Sequence, residues 1–382
     1  MEFVGIICEY NPFHRGHAAQ LRRIGERFPD AVKISLMSGS FVQRGEAAVM
    51  PKYSRAEAAI RAGADLVFEL PYPWNCARAE IFAQAGVSVL SMLGVQILCF
   101  GSETGDEAEL LETAKRLESQ EFRQAFAAAR EEEKHGETSS VRLGQKIYEE
   151  LFGKGFPTRP NDILGVEYCR AILRLGADMK PVSYPRAADY TASGARALIM
   201  EGKNESLSSV LPPETLREMT GDEARAAAAF SPILLTVLRL ADPEELERIS
   251  GIPEGFAARM CAKARTVTDT DALVRALVSK RETAAQVRRL LIACALKAGA
   301  ERAEVMPAYA QLLGASGRGR KALRALQKTS LLPILTKPAD YVGLPPAAAE
   351  QFRFNLRAET LTAAAWGIPS GDLVRKKPYM GE

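Results

Sequence analysis

The sequence predicts an α/β fold built on a parallel sheet, and three observations carry that prediction. Five short apolar runs, at residues 3–8, 32–37, 65–70, 95–100 and 179–184, are separated by segments with helical spacing, the order of successive βαβ units. The first run empties straight into Glu9-Tyr10-Asn11-Pro12-Phe13-His14-Arg15-Gly16-His17, at the C-terminal end of a first strand, where open α/β sheets take their ligands. After about Glu201 such runs stop, and helical patterns broken by Pro212-Pro213, Pro243, Pro253, Pro307, Pro333 and Pro345-Pro346 follow. Residues 1–200 therefore read as an α/β domain and residues 201–382 as an all-helical one.

Each element has a local cause. Phe3-Val4-Gly5-Ile6-Ile7-Cys8 is continuously apolar, as expected of a strand covered on both faces. Pro12 cannot continue a ladder, and residues 18–24 read as the helix that follows. Residues 78–93 and 162–175 are amphipathic helices, the second with Asn161 placed to cap it. Residues 107–118 and 120–133 are charge-rich helices, and 131–138 reads as an exposed connection containing His135.

His14 and His17 fall three apart on the first turn of the first helix. The unpaired N–H groups and positive dipole there suit phosphate, and two imidazoles add donors. Gly16, lacking Cβ, leaves room for a ribose or base. This arrangement suits attack on the α-phosphate of a nucleoside triphosphate, where fixed donors must meet developing negative charge. An isolated HxxH often does no more than cap a helix; here its place at the end of a first strand favours the chemical reading. Cys99-Phe100-Gly101-Ser102-Glu103 ends a strand on a glycine that gives a ligand close backbone access. Thr191-Ala192-Ser193-Gly194-Ala195-Arg196 opens a later helix, so that Ser193 and Arg196 are candidates to clamp the β and γ phosphates. Arg44, Lys52 and Arg55 have loop neighbours and are able to approach anions.

The 382 residues carry a formal charge of +3, which says little about partners. Its distribution says more: between Arg259 and Lys337 sixteen basic residues face five acidic ones, a field suited to a polyanion. Six scattered cysteines without a CxxC pair read as buried thiols in a reducing compartment. With no signal-peptide pattern and no apolar run long enough for a membrane span, a cytoplasmic protein is expected. No residue is assigned as a metal ligand, and neither a membrane nor DNA is expected as a partner.

The nonapeptide resembles the signature of the HIGH-type nucleotidyltransferases. The fuller EYNPFHRGH, with MSGSFVQRGEAA, GADLVFELP, FGSE, Asn161-Asp162-Ile163-Leu164, Tyr184-Pro185-Arg186 and TASGAR, is similar to one branch, the bacterial tRNA(Met) cytidine acetate ligases. TASGAR departs from the usual second motif at Ser193, where threonine is common, and at Ala195, where isoleucine is. Ser279-Lys280-Arg281 followed by Arg288-Arg289-Leu290-Leu291 is similar to the family's basic helix. The resemblance implies a Rossmann-like nucleotidyltransferase domain followed by a tRNA-binding one. It also implies an ATP site at Ile7, Cys8, Glu9, Tyr10, Asn11, Pro12, Phe13, His14, Arg15, Gly16, His17, Ala18, Ala19 and Gln20, with Gly101, Asn161 and Arg186. His14 and His17 would be catalytic, and Lys280, Arg281, Arg288 and Arg289 would contact tRNA. The implied reaction joins acetate to ATP, releases pyrophosphate, and passes the acetyl group to the wobble cytidine of elongator tRNA(Met). A magnesium ion is expected with the ATP, to bridge its β and γ oxygens. A small-molecule adenylyltransferase and a non-catalytic RNA-binding protein are the competing readings.

Overall fold

A computed structural model describes residues 1–132, 140–186 and 190–381. His135 and most of the connection expected at 131–138 lie outside the described residues. The strands are β1 (Phe3–Cys8), β2 (Val32–Ser38), β3 (Phe41–Val42), β4 (Glu46–Ala47), β5 (Leu66–Leu70), β6 (Ile97–Ser102), β7 (Lys180–Pro185), β8 (Ala310–Ala315), β9 (Ile334–Leu335) and β10 (Tyr379–Met380). The main sheet runs β10-β8-β5-β2-β1-β6-β7, with β9 added to β8, while β3 and β4 form a separate hairpin. From β5 to β7 every pairing is parallel, as the sequence predicts.

The chain moves from β1 outward through β2 to β5, then returns to the other side of β1 for β6. That reversal opens a crevice beyond the carboxyl ends of β1 and β6, the topological switch point of such sheets. Helices Ala79–Met92 and Pro160–Leu175 cover one face, and Arg15–Arg27 and Lys52–Arg61 the other. A central parallel strand is thus dry on both sides. This accounts for the unbroken apolar character of β1.

The expectation of an all-helical region from Glu201 onward is corrected. Helices Glu223–Arg239, Phe256–Ala264, Thr270–Leu277 and Ala284–Leu296 do form a core of their own around Leu238, Phe256, Met260, Leu273 and Leu291. The chain then returns to the sheet, where β8 pairs antiparallel with β5 and β10 closes the edge parallel to β8. Ala310-Gln311-Leu312-Leu313-Gly314-Ala315 has no β-branched or aromatic residue, so its local preference hides the strand. Burial of all six residues beside β5 imposes it.

Lys52 and Arg55 do not approach a ligand. Lys52 Nζ lies 2.7 Å from Glu69 Oε2 and also pairs with Glu359, on the long helix Pro346–Trp366. Arg55 is fully buried and donates to the carbonyls of Met50 (3.0 Å), Glu9 (2.6 Å), Ser38 (3.0 Å) and Gly39. Each cation is consumed by oxygens that the fold places around it, as burial of charge requires.

Candidate active site

A cleft of about 600 Å³ opens beyond β1 and β6. Its floor starts at Ile7, Cys8 and Glu9, where β1 ends, and continues into helix Arg15–Arg27. His14 is the N-cap of that helix and His17 its third residue. The Gly16 N–H donates to His14 Nδ1 (3.1 Å), and the His14 N–H donates to His17 Nδ1 (3.2 Å). The two imidazoles stack with centroids 3.7 Å apart. They therefore do cap the helix, but with Nδ1 alone. A ring whose Nδ1 accepts carries its proton on Nε2, so each has one N–H donor left to offer the cleft.

Burial holds both imidazoles neutral. It lowers His14 to about 4, helped by Arg186. His17 sinks well below the ordinary histidine value through burial, with the His14 and Arg186 charges as further causes. Two neutral donors at a helix N-terminus can sit against phosphate oxygens without exchanging protons with them. A Cβ on Gly16 would stand 2.9 Å from His14 Cε1. Its missing side chain makes space for the His14 ring as it lines the cleft.

The cleft gathers many of the expected residues: Ile7, Cys8, Glu9, His14, Gly16, His17, Ala19, Gln20, Gly101, Asn161, Arg186, Ser193 and Arg196 all line it. Others lie beneath it as scaffold. The Tyr10 hydroxyl meets Ser35 Oγ at 3.1 Å, Asn11 Oδ1 accepts from the Val49 N–H (2.7 Å), and the Phe13 carbonyl accepts from Thr215 (2.8 Å). Pro12 is buried with them, while Ala18 packs on the core below the helix. Arg15 turns outward and donates to the Ser208 carbonyl (2.8 Å).

Asn161 is not the expected cap, since its helix starts at Pro160 with Arg159 as N-cap. It instead supplies two of three donors to Glu103. Asn161 Nδ2 (2.5 Å) reaches one carboxylate oxygen, and the N–H groups of Asn161 (3.1 Å) and Asp162 (3.0 Å) reach the other. Arg186 spans the space over Gly101, with Nη1 3.7 Å from Glu103 Oε1. On the opposite wall, Thr191 caps helix Ala192–Met200, and Arg196 Nη1 donates to the Asn11 carbonyl (2.9 Å). Arg196 also lies 3.6 Å from Glu46 Oε2.

Glu46 and Glu103 are lining residues absent from the expected site. An acid two residues after a glycine near a strand end, as in FGSE, was a readable signal for Glu103. Glu46 owes its position to the β3–β4 hairpin, which gave no periodic signal. Burial raises the Glu9 carboxyl above its ordinary value, against the opposing Gln43 N–H that donates to it at 2.9 Å.

The four basic residues assigned to tRNA divide into two pairs. Lys280 and Arg281 are exposed in the loop before helix Ala284–Leu296. Arg288 lies 3.2 Å from Asp271 and 3.9 Å from Glu46, and Arg289 Nη1 donates to the Gln43 carbonyl (3.2 Å). These two hold the helical region against the hairpin that borders the cleft.

Residues 1–367 match the family model for HIGH nucleotidyl transferases. A tRNA(Met) cytidine acetate ligase of Syntrophotalea carbinolica is 36% identical over 368 residues, with 88% of this chain and 85% of the relative covered. This chain belongs to the tRNA(Met) cytidine acetate ligase family. The ligase of Listeria monocytogenes serovar 1/2a is 33% identical, with 97% and 98% of the two chains covered. Among solved structures, Thermotoga maritima TmcAL bound with alpha-thio ATP superposes with a TM-score of 0.90 at 27% identity, over 100% of both chains. Its apo form gives 0.91 at 26% identity. The family relation thus extends through the helical region as well as the sheet.

Proposed function

We propose that this protein is an ATP-dependent acetate ligase. It converts acetate and ATP to acetyl-adenylate and pyrophosphate, then transfers the acetyl group to the wobble cytidine of elongator tRNA(Met), giving N4-acetylcytidine. The observation that carries this reading is the stacked, neutral His14–His17 pair at a helix N-terminus, in a chain matched along nearly its whole length by acetate ligases.

Acetate is a poor acyl donor because oxide is a poor leaving group. Joining it to AMP supplies a phosphate leaving group instead. The acetate oxygen attacks the α-phosphorus, and the bond to pyrophosphate breaks with its electron pair on the departing oxygen. His14 and His17 donate through Nε2 to the phosphoryl oxygens as charge redistributes. Arg186 and Arg196 are assigned to the triphosphate tail, with Gly101, Asn161 and the end of β1 around the nucleoside. A magnesium ion is assigned with the ATP, where it would offset charge on the phosphate oxygens. Lys280 and Arg281 are the side chains we assign to the RNA backbone. The first 200 residues would supply most of the nucleotide site and the helices after them the RNA contacts, in the cytoplasm where that RNA is found.

The test is incubation of the purified protein with isotopically labelled acetate, ATP, magnesium and unmodified tRNA(Met), then mass spectrometry of the digested nucleosides. Labelled acetylcytidine is the expected product. Acetate-independent transfer of AMP to a small phosphorylated metabolite would replace this reading with that of an adenylyltransferase.

A further inference from the structure

We infer that a second cavity, behind the β3–β4 hairpin, receives the cytosine of the acceptor nucleotide, and that Glu46 takes the proton its amine loses. This inference rests on the ligase reading above and assigns the half-reaction that the His14–His17 cleft leaves without residues.

The second cavity holds about 550 Å³, within the range of about 300–1,000 Å³ usual for small-molecule sites. It lies between the hairpin and helices Glu223–Arg239, Thr270–Leu277, Ala284–Leu296 and Pro346–Trp366. Two side chains, Glu46 and Arg196, line both this cavity and the nucleotide cleft. The hairpin is therefore a partition with one carboxylate and one guanidinium reaching both sides. A two-substrate reaction needs such a layout, because the second acceptor must meet the adenylate while the adenylate still fills its own site.

The cavity wall is suited to an extruded pyrimidine. Half-buried Phe230 and Trp366 offer ring surfaces, and single-stranded bases are commonly held by stacking on aromatic side chains. Ser231, Thr270 and Asp271 supply polar groups for a base edge. Helix Glu223–Arg239 contributes small residues, including Ala227, that give the cavity its depth.

Among the described residues three carboxylates border the nucleotide cleft, and their partners separate them. Glu103 has both oxygens occupied by Asn161 and Asp162. Glu9 accepts from the Gln43 N–H and does not line the second cavity. Glu46 meets Arg196 at 3.6 Å and Arg288 at 3.9 Å, both longer than a charge-assisted hydrogen bond of about 2.7–2.9 Å. It keeps oxygen capacity for an incoming N–H. In the step assigned to it, the N4 lone pair forms a bond to the acetyl carbon. The carbon–oxygen bond to AMP breaks with its electron pair on the phosphate oxygen, and one N4 proton passes to the Glu46 carboxylate.

The test separates the two half-reactions in the full-length protein. Acetate-dependent exchange of labelled pyrophosphate into ATP reports the first, and single-turnover acetyl transfer to unmodified tRNA(Met) reports the second. For Glu46→Gln, transfer is expected to fall on the order of a hundredfold further than exchange, with Glu46→Asp recovering part of the loss and a steeper pH profile in the wild type than in Glu46→Gln. Ala227→Trp, which fills the cavity away from the cleft, is expected to lower transfer at least tenfold more than exchange, with circular dichroism reporting its fold. If transfer and exchange fall together in both variants, or neither changes, the assignment is overturned. Should the wild type exchange pyrophosphate yet never label tRNA, the ligase reading itself fails and takes this inference with it.

Discussion

Two sets of basic side chains lie within forty-two positions of each other in the sequence, His14 with His17 and Lys52 with Arg55, and the fold treats them in opposite ways. Both sit at or near a helix N-terminus, close to strand ends on the ligand side of the sheet. The imidazoles spend one nitrogen each on their own helix and keep the other for the cleft. Lys52 and Arg55 are surrounded by carbonyl and carboxylate oxygens from β2, β5 and helix Pro346–Trp366, which leaves nothing to offer a substrate. Charge near a strand end is therefore no guide to ligand contact until the competing oxygens are known. The physical difference is between a neutral donor that tolerates partial burial and a full charge that must be paired to be buried at all.

The largest effect expected from breaking this contrast is at Lys52. Burial pulls its amine toward neutrality, but Glu359 and Glu69 overcome this and hold it protonated. Lys52→Met leaves two buried carboxylates facing each other, for which a loss of about 3–5 kcal/mol is expected. Denaturant unfolding measures it. A loss below about 1 kcal/mol, accompanied by failed adenylylation, would move Lys52 back among the substrate contacts. At His17 the reverse pattern is expected: His17→Ala lowers acetate-dependent pyrophosphate exchange on the order of a hundredfold, about 2.7 kcal/mol of barrier. Its stability cost is only that of a lost cap, about 1 kcal/mol. Unchanged exchange would remove the proposed role of the imidazole.

A smaller effect tests the same distinction in the helical region. Lys280→Glu with Arg281→Glu is expected to weaken tRNA binding on the order of tenfold and to flatten its salt dependence, leaving pyrophosphate exchange in place. Reversal at Arg288 and Arg289 should instead damage both half-reactions, because those side chains secure the hairpin beside the cleft. Equal behaviour of the two pairs in binding and exchange assays would erase the division drawn between them.

The smallest effect is a flat pH response. With His14 lowered to about 4 and His17 lower than ordinary, neither ring changes charge near neutrality. Exchange should then show no imidazole inflection between about pH 5.5 and 8. Stability has a definite sign. The unfolded chain takes up these protons near 6.5 and the folded chain only near 4 for His14, so folding free energy is lost as pH falls through that window. An inflection near 6.5 in the exchange rate would contradict the neutral-donor assignment.

Much of the parallel half of the sheet was legible because a strand dry on both faces is largely apolar, as β1 is throughout and β2 and β5 are apart from Lys33, Ser35, Ser38 and Glu69. The turn at His14 was legible because only a few residue types suit an anion-facing helix start. Asn161 and Gly16 line the cleft, but their protein neighbours there were not foreseen. Their partners, Glu103 and the His14 ring, depend on rotamers and loop closure that no spacing encodes. The hairpin carrying Glu46 has strands of two residues each, too short to leave an alternating pattern.

By itself, then, the sequence determined the elements whose residues answer to a local rule: apolar strands, capped helices and the HxGH turn with its donors. Tertiary structure alone decided three things. It brought Ala310–Ala315 back to pair with β5, buried Lys52 and Arg55 among oxygens, and set Glu46 between two cavities. Each of these joins residues far apart in the chain, where the controlling energies are strand pairing, desolvation of charge and the enclosure of space. Those terms acquire values only when distant segments meet.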